Sequence, residues 1–356
     1  MRRKINLLLV SLIFVIGLFG FVGCSSVKNN TSSNSQSTSS NSNGSSSNDN
    51  SSNGSGEIEG ILIYEKSSTN DYYVVTGIEN KINATIVNIP DSYNSLTVKK
   101  IGDYAFMYCS NLKSVIISSM VTNIGRDAFE DCSNLKSVTF GENSVLESIG
   151  KNAFSGCSKL TSLIKPNNVK NIGYSAFKNC TSLQYNEYDN AKFLGNNDNP
   201  YLVLISVTST DITNYTINKK SNVIYSDAFY NCSKLTSITI PSNVTNIGDW
   251  AFYKCSNLES IKINENSVLE SIGSGAFYDC KNLISITIPT SVKSIGVYAF
   301  SNCSKLTSVT FENTSGWFYA ENEGATSGTS VIVTSNTQNA TYLTDIYARF
   351  YWYVNV

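Results

Sequence analysis

The regular spacing of the cysteines is the feature of this sequence that most suggests a chemical role. Nine cysteines occur in 356 residues, and eight of them follow one another at intervals of 23, 25, 23, 52, 23, 25 and 23 residues. Metal sites need close spacings such as Cys-x-x-Cys, which these intervals do not offer. Histidine is absent, which removes Ser-His-Asp and Cys-His nucleophile activation and His-ligated metals. The sequence therefore argues against an enzyme, a metal site and a cofactor.

The eight spaced cysteines all close the same phrase, Ala-Phe-x-x-Cys. An Ile-Gly pair precedes seven of the eight copies, and Leu-x-Ser followed by an Ile-x-Ile-like pair comes after. A fixed period in the twenties predicts a solenoid of stacked rungs. The Leu-x-Ser-Ile-x-Ile stretch alternates apolar and polar residues and indicates a strand. In one rung, Leu235, Ile238 and Ile240 are predicted to point inward, with Gly248 making a tight turn.

The repeat predicts two interior columns, one of phenylalanine and one of cysteine. Neighbouring rungs hold Cβ atoms near the strand spacing of about 4.8 Å, whereas a disulfide needs about 3.8 Å. The cysteine is therefore interpreted as a small buried apolar residue with a weak S–H donor. The two columns are Phe106, Phe129, Phe154, Phe177, Phe229, Phe252, Phe277 and Phe300, and Cys109, Cys132, Cys157, Cys180, Cys232, Cys255, Cys280 and Cys303.

A column of tyrosines is the sharpest candidate for a binding site. The residue after Ala-Phe is Tyr230, Tyr253 and Tyr278 in three consecutive rungs, and Trp250 lies two residues before Phe252. Stacked aromatic rings with polar tips are typical anchors for protein or sugar partners. The alternative is a structural stack that covers the edge of the rungs.

The long interval between Cys180 and Cys232 indicates an interruption of the repeat. Residues 191–194 and 201–207 are predicted as two strands around a turn rich in Gly, Asn, Asp and Pro, which makes an inserted β-hairpin at about residues 184–211. Glu187, Asp189 and Asp198 also lie in this segment. Their oxygens could serve a calcium ion, but the spacing matches no calcium loop, and a solvated turn is the alternative.

The first 56 residues are predicted to tether a folded domain to a membrane. Residues 1–23 have a basic start and an apolar run that is short for a membrane span. The run ends in Phe-Val-Gly-Cys, which resembles the lipobox of bacterial lipoproteins and implies palmitate-type lipidation at Cys24. An uncleaved membrane anchor is the alternative. Residues 24–56 are rich in Ser and Asn and cannot bury enough apolar surface to fold, so they are predicted to form a flexible stalk.

The repeat as a whole, Ile-Gly-x-x-Ala-Phe-x-x-Cys-x-x-Leu-x-x-Ile-x-Ile-Pro, resembles the leucine-rich repeats of BspA-like bacterial surface proteins. The segments at residues 72–78 and 84–102 are similar to that family's opening cap, and those at 308–320 and 339–354 to its closing segment. The expected fold is a β-rich solenoid of leucine-rich repeats of about 23 residues, with N- and C-terminal caps and one inserted β-hairpin. The expected domains are an N-terminal cap at 57–100, the solenoid at 101–311 and a C-terminal cap at 312–356.

The resemblance implies a binding protein held at the cell surface. With 26 Lys plus Arg against 27 Asp plus Glu, the charge balance gives no indication of a nucleic-acid partner. The expected partner is an extracellular or host macromolecule, either protein or glycan, bound by a lipid-anchored adhesin or protein-interaction module. The alternative is a structural envelope protein that binds cell-wall glycan or other envelope proteins.

Overall fold

The computed structural model describes residues 57–163 and 168–355, which belong to one compact unit. The predicted signal peptide, the lipidation site at Cys24 and the stalk lie outside the described residues. Within the described residues, the buried apolar side chains of this unit form two hydrophobic cores. This unit can therefore be studied as a fragment spanning residues 57–356.

Each turn of the solenoid contains a long strand, a short strand and a compact bend that carries Ala-Phe-x-x-Cys. In the turn that begins at Ser237–Ile240, Ile238 and Ile240 are buried, as is Leu235 just before the strand. The short strand Asn246–Ile247 follows, and the bend then buries Phe252 completely. The alternating pattern of the sequence thus gives one buried face to each strand, and the bend closes the interior from the other side.

The glycine after the short strand does not make the tight turn that the sequence predicts for it. A Cβ added at Gly248 would lie 2.6 Å from the backbone nitrogen of Ser226 in the preceding turn. Glycine is needed because consecutive turns approach each other closely at this point. The bend instead reverses at residues with positive φ, such as Trp250 at 58° and Lys254 at 59°.

The first half of the described chain has two sheets that run along the solenoid. A short-strand sheet has the order β1-β2-β5-β7-β9-β11, with β4 paired to β5, and a long-strand sheet has the order β3-β6-β8-β10. Pairing between successive turns is parallel and in register, as in Ser114↔Ser137. The strands are β1 (Leu62–Lys66), β2 (Tyr73–Ile78), β3 (Ile86–Ile89), β4 (Ser92–Tyr93), β5 (Leu96–Ile101), β6 (Ser114–Ile117), β7 (Asn123–Ile124), β8 (Ser137–Phe140), β9 (Ser148–Ile149), β10 (Ser162–Leu163) and β11 (Asn171–Ile172).

The second half repeats this arrangement with sheets of its own. Its short-strand sheet begins β12-β13-β14-β16-β18-β20-β22, and its long strands pair as β15-β17-β19 and β21-β23. The strands are β12 (Asn186–Tyr188), β13 (Ala191–Leu194), β14 (Val203–Val207), β15 (Asn214–Thr216), β16 (Val223–Ile224), β17 (Ser237–Ile240), β18 (Asn246–Ile247), β19 (Ser260–Ile263), β20 (Ser271–Ile272), β21 (Ser285–Ile288), β22 (Ser294–Ile295) and β23 (Ser308–Phe311).

The segment between the halves contains an antiparallel strand pair, but its place in the fold differs from that of an insertion into one continuous solenoid. At the N-terminus, β1 is antiparallel to β2, β2 is parallel to β5, and β3 is parallel to β6. In the middle of the chain, β13 is antiparallel to β14, β14 is parallel to β16, and β15 is parallel to β17. Both strand pairs even carry an irregularity at the same place, at Ile63/Tyr64 and Lys192/Phe193. The segment of β12, β13 and β14, residues 186–207, is therefore a second cap that starts a second solenoid, and we call it the middle cap.

The two solenoids have separate cores, and the middle cap lies between them. We define the N-terminal module as residues 57–163 and 168–183, and the C-terminal module as residues 184–355. Alternate residues of the middle cap point into opposite cores: Val203 belongs to the first and Leu204 to the second, and both are fully buried. The middle cap therefore closes the end of one module and begins the next.

The C-terminal module ends in a cap of mixed structure. It contains β24 (Trp317–Ala320), β25 (Thr329–Ser330), helix α1 (Asn336–Thr341), a π-helical turn (Tyr342–Ile346) and β26 (Tyr351–Val354), with β26 antiparallel to both β22 and β24. The indoles of Trp317 and Trp352 are buried over the last turn. The side-chain amide of Asn339 donates a hydrogen bond to the backbone oxygen of Val309, 3.0 Å away, which fixes α1 on the end of the solenoid.

The thiol of each cysteine links one turn to the turn before it. All eight cysteines of the described chain are free and buried. Six of them donate their S–H to the phenylalanine carbonyl of the preceding turn; Cys255, for example, reaches the Phe229 oxygen at 3.2 Å. Burial raises the pKa of Cys180 and Cys303 to about 12, which keeps these thiols protonated as donors at neutral pH. The two exceptions within the described residues, Cys109 and Cys232, are the first cysteines of their modules.

Replacing Cys255 with alanine is expected to cost more stability than the same replacement at Cys232. Both changes remove a fully buried sulfur, but only Cys255 donates to a phenylalanine carbonyl. The difference in unfolding free energy should be about 0.5–1.5 kcal/mol, the net value of one hydrogen bond. Urea unfolding of the two variants measures it. Equal losses would show that the thiols act by packing alone.

Candidate functional site

The residue that follows phenylalanine in the bend lies outside the two cores, and it is at least partly exposed in every described bend except those of Ser155 and Ser301. In three successive turns of the C-terminal module this residue is a tyrosine. The ring centroids of Tyr230 and Tyr253 are 5.0 Å apart with planes at 22°, and those of Tyr253 and Tyr278 are 5.5 Å apart at 27°. Tyr230 is 49% exposed, and the other two are half-buried. We call these three residues, together with Trp250, the tyrosine ladder.

Trp250 braces the ladder from the side. Its ring is edge-on to Tyr253 at 5.4 Å and to Tyr278 at 5.8 Å. The equivalent residue of the next turn is Gly275, with φ of +60°, and a Cβ there would lie 2.2 Å from Cζ3 of Trp250. Glycine at this position therefore provides the space that the indole occupies.

A cavity of about 540 Å³ lies beside the ladder, where the bends meet the C-terminal cap. Tyr298, which is 44% exposed, continues the aromatic surface by one turn. Arg349 and Asp345 reach the same cavity from the C-terminal cap. On the ladder itself, the Lys254 ammonium lies 5.1 Å from the centre of the Tyr253 ring. Asp279 follows Tyr278 as Lys254 follows Tyr253, so the aromatic surface has charges of both signs around it.

A groove of about 700 Å³ separates the short-strand sheets of the two modules. The modules touch beside it, where the hydroxyl of Thr245 donates to the backbone oxygen of Lys170 at 2.7 Å. Its walls are mostly short polar side chains and glycines, with charged and aromatic groups contributed by both modules and the C-terminal cap. The polar, charged and aromatic lining includes Asp103, Arg126, Ser148, Lys151, Asn171, Tyr174, Asn246, Asp249, Trp250, Ser271, Ser274, Ser294, Glu323, Tyr351 and Tyr353.

The groove holds charges of both signs. On the C-terminal side, burial raises the pKa of Asp249, and nearby Glu323 raises it further. A hydrogen bond from the Ser274 backbone N–H, at 2.6 Å, and the charge of Lys151 on the opposite wall act in the other direction. Burial and the charge of Asp249 raise the pKa of neighbouring Asp227 to about 6. Both cations of the lining, Arg126 and Lys151, come from the first module, and two of the lining's three carboxylates, Asp249 and Glu323, come from the second.

Comparison with known families identifies the repeat. The family described as "BspA type Leucine rich repeat region" matches residues 78–197 and 207–320 in six copies, well over half of the chain. The chain belongs to the BspA-type leucine-rich repeat family. This confirms the resemblance read from the sequence and the leucine-rich repeat solenoid expected from it, and it favours protein interaction over catalysis. None of the curated proteins matches the chain.

Solved leucine-rich repeat structures from bacteria resemble this BspA-type chain at low identity. A T. pallidum leucine-rich repeat protein is 23% identical over 69% of this chain and 87% of its own, with a TM-score of 0.37. A leucine-rich cell surface protein from Faecalibacterium prausnitzii is 24% identical over 71% of this chain and 93% of its own, with a TM-score of 0.28. The pneumococcal vaccine antigen PcpA is 25% identical over 70% of this chain and 65% of its own, with a TM-score of 0.34.

In this BspA-type chain the structure brings the four residues of the tyrosine ladder into one surface, and it adds groups that sequence reasoning missed. Tyr298 could have been found, since it occupies the same place in its repeat as Trp250. Arg349 and Asp345 could not, because they lie in the C-terminal cap, where no repeat fixes their position. The groove was also missed, since its walls come from different modules.

Within residues 57–163 and 168–355, no cluster of three or more His, Cys, Asp or Glu side chains is placed to hold a metal ion. This includes the carboxylates of the middle cap, Glu187, Asp189 and Asp198. Over the same residues, no helix has the length and apolar character needed to span a bilayer.

Proposed function

We propose that this protein is a surface-tethered binding module whose tyrosine ladder contacts an extracellular or host protein. The observation that carries the proposal is the ladder itself: three stacked tyrosines and a tryptophan outside the core, on a rigid set of repeats. Tyrosine and tryptophan are enriched among the residues that dominate binding energy, because they combine a large apolar area with a polar group.

The surroundings of the ladder indicate the chemistry of the partner. Lys254 and Arg349 place two positive charges beside the aromatic surface. Two carboxylates accompany them, Asp345 and Asp279, which follows Tyr278 as Lys254 follows Tyr253. A partner segment with apolar side chains flanked by charges of both signs would complement this surface. The solenoid contributes rigidity, so that little conformational entropy is lost when the rings are covered.

The tether is the part of the proposal that rests on the first 56 residues of the sequence. The lipobox-like ending at Cys24 and the Ser/Asn-rich stalk support a lipid-anchored domain outside the cytoplasm. Recovery of the chain in the membrane fraction, and its release when Cys24 is replaced by serine, tests this part separately.

The binding role is tested with the fragment 57–356 and a panel of matrix and plasma proteins. A variant with Tyr230, Tyr253 and Tyr278 all changed to alanine should lose at least about 100-fold in affinity for whichever protein binds saturably, as expected for central aromatic anchors. The matched control changes the same column of the N-terminal module, Glu130, Ser155 and Lys178, to alanine, and should bind normally. A folded triple-tyrosine variant that binds as tightly as the parent would refute the assignment of the ladder.

A further inference from the structure

The groove between the modules contains a buried polar group without a partner. Asn246 lines the groove and is only 6% exposed. Its amide nitrogen donates to the hydroxyl of Ser271 at 2.6 Å, but its side-chain oxygen has no hydrogen-bond partner. A buried acceptor of this kind is normally satisfied, so its presence in a groove wall indicates a site for a donor that comes from outside the chain.

A second copy of the same five residues shows why Asn246 lacks a partner. The phrase Val-Thr-Asn-Ile-Gly occurs at residues 121–125 and again at 244–248. In the first copy, the Asn123 amide also meets a serine, Ser148, while the hydroxyl of Thr122 donates to its oxygen at 2.7 Å. Each threonine hydroxyl also reaches a backbone oxygen of the preceding turn at 3.1 Å, but the second and shorter contact of Thr245 is to Lys170 of the other module, at 2.7 Å, and not to the Asn246 oxygen. The contact that joins the modules beside the groove therefore also leaves the Asn246 oxygen free.

We propose that this groove binds a neutral oligosaccharide. A sugar hydroxyl can donate to the Asn246 oxygen and accept from a neighbouring serine, because a hydroxyl does both. Short hydroxyl and amide side chains stand on both walls, and the rings of Trp250 and Tyr351 offer apolar surfaces beside them. The lining carries two cations, Arg126 and Lys151, and three carboxylates, Asp103, Asp249 and Glu323, so the charges largely offset one another and no strong excess charge selects an ionic ligand.

The strand pairing disfavours an extended peptide as the ligand. A peptide that adds to a sheet needs a strand edge with free backbone groups. In the walls, β9 is paired with β7 and β11, and β20 is paired with β18 and β22. The apolar side chains of these strands, such as Ile149 and Ile272, point into the cores. β11, the last strand of its sheet, pairs only with β9, but it is two residues long and offers little edge for a peptide to extend. The groove therefore presents mainly side-chain hydroxyls and amides.

This inference goes beyond the proposed function, because the groove is a different surface with a different class of ligand; only Trp250 is common to both. The experiment is calorimetric titration of the fragment 57–356 with neutral tri- to hexasaccharides of glucose, xylose and N-acetylglucosamine, and with uncharged peptides of matched length. Saturable binding of at least one oligosaccharide series is expected. The Tyr230/Tyr253/Tyr278 triple-alanine variant should keep this binding, which separates failure of the groove from failure of the ladder.

Two variants and one matched control locate the site. Asn246→Ala should weaken oligosaccharide binding about tenfold, the effect of one lost hydrogen bond in a buried site. Asn123→Ala removes the same side chain from the same phrase, outside the groove, and should leave binding unchanged. Asn171→Trp places a bulky group at an exposed position of the opposite wall and should abolish binding without touching either core. If Asn246→Ala fails to fold, Asn171→Trp alone tests whether the groove is the binding site.

Three results would overturn the proposal. The first is an absence of binding across the whole oligosaccharide panel. The second is binding that Asn171→Trp leaves intact, or that Asn246→Ala and Asn123→Ala reduce equally. The third is saturable binding of the peptides in place of the sugars, which would assign the groove to a protein ligand.

Discussion

Replacing Leu204 with alanine should destabilise the C-terminal module by about 2–5 kcal/mol and leave most of the N-terminal module protected. Leu204 is fully buried in the second core, where it pairs in register with Ile224 of the next turn. Its truncation removes buried apolar atoms and leaves a cavity at the first turn of the module. Because a solenoid turn is stabilised mainly by its neighbours, the loss should spread along the C-terminal module.

The adjacent residue, Val203, provides the matched control. It is equally buried, but its side chain lies in the first core. Val203→Ala should therefore expose the end of the N-terminal module while the second core stays intact. Both effects can be measured by hydrogen exchange with mass spectrometry. Leu204→Ala should reduce amide protection in residues 228–352, and Val203→Ala should reduce it in residues 73–183. If either variant loses protection uniformly over both modules, the two cores form a single cooperative unit.

The sequence predicts the inside of one turn well, because neighbouring residues decide it. The alternation around Ile238 and Ile240 and the fixed phase of Phe252 each specify a buried position, and the structure buries all of them. The position of the tyrosines follows from the same phase, because each directly follows the buried phenylalanine of its bend. These are local consequences of strand and bend geometry, and eight copies of the phrase repeat them.

The boundary between the modules could not be predicted in the same way. Two segments contain equivalent capping strands but have few identical residues. They are residues 72–78, Tyr-Tyr-Val-Val-Thr-Gly-Ile, and residues 201–207, Tyr-Leu-Val-Leu-Ile-Ser-Val. A strand pattern shows which residues face inward, yet it does not show which strand is the neighbour or in which direction that neighbour runs. Here the neighbour decides whether the segment is an inserted hairpin or a second cap.

The groove is the feature that the sequence could least predict. Thr122-Asn123 and Thr245-Asn246 are identical pairs within identical phrases, and no local argument separates them. Thr245 differs only because the carbonyl of Lys170, 75 residues earlier, comes within reach when the modules meet. Whether the asparagine oxygen is satisfied therefore depends on the angle between two folded modules, which the repeat does not encode.

Replacing Phe252 with alanine should cost about 3–5 kcal/mol of unfolding free energy, and replacing the next residue, Tyr253, should cost far less. Phe252 is fully buried between two rings of its column, with centroids 4.8 Å from Phe229 and 5.1 Å from Phe277. Its truncation creates a cavity and removes both stacked pairs. Among the residues that the structure describes, Phe300 at the end of the column has one such neighbour, Phe277 at 5.2 Å. Phe300→Ala should therefore be milder by about 0.5–1.5 kcal/mol, the value of one aromatic pair.

Denaturant unfolding of the three variants separates the core from the ladder. Tyr253 stacks on two tyrosines, but it is only partly buried, and its truncation leaves the Phe252 column untouched. A loss of several kcal/mol in Tyr253→Ala would mean that the ladder is a structural support for the bends, and weaker binding by the triple-tyrosine variant would then report damaged folding. A small loss, beside a large one for Phe252→Ala, would mean that the tyrosines are held in place by the fold without being needed for it. In that case a loss of binding on their removal can be attributed to lost contact with the partner.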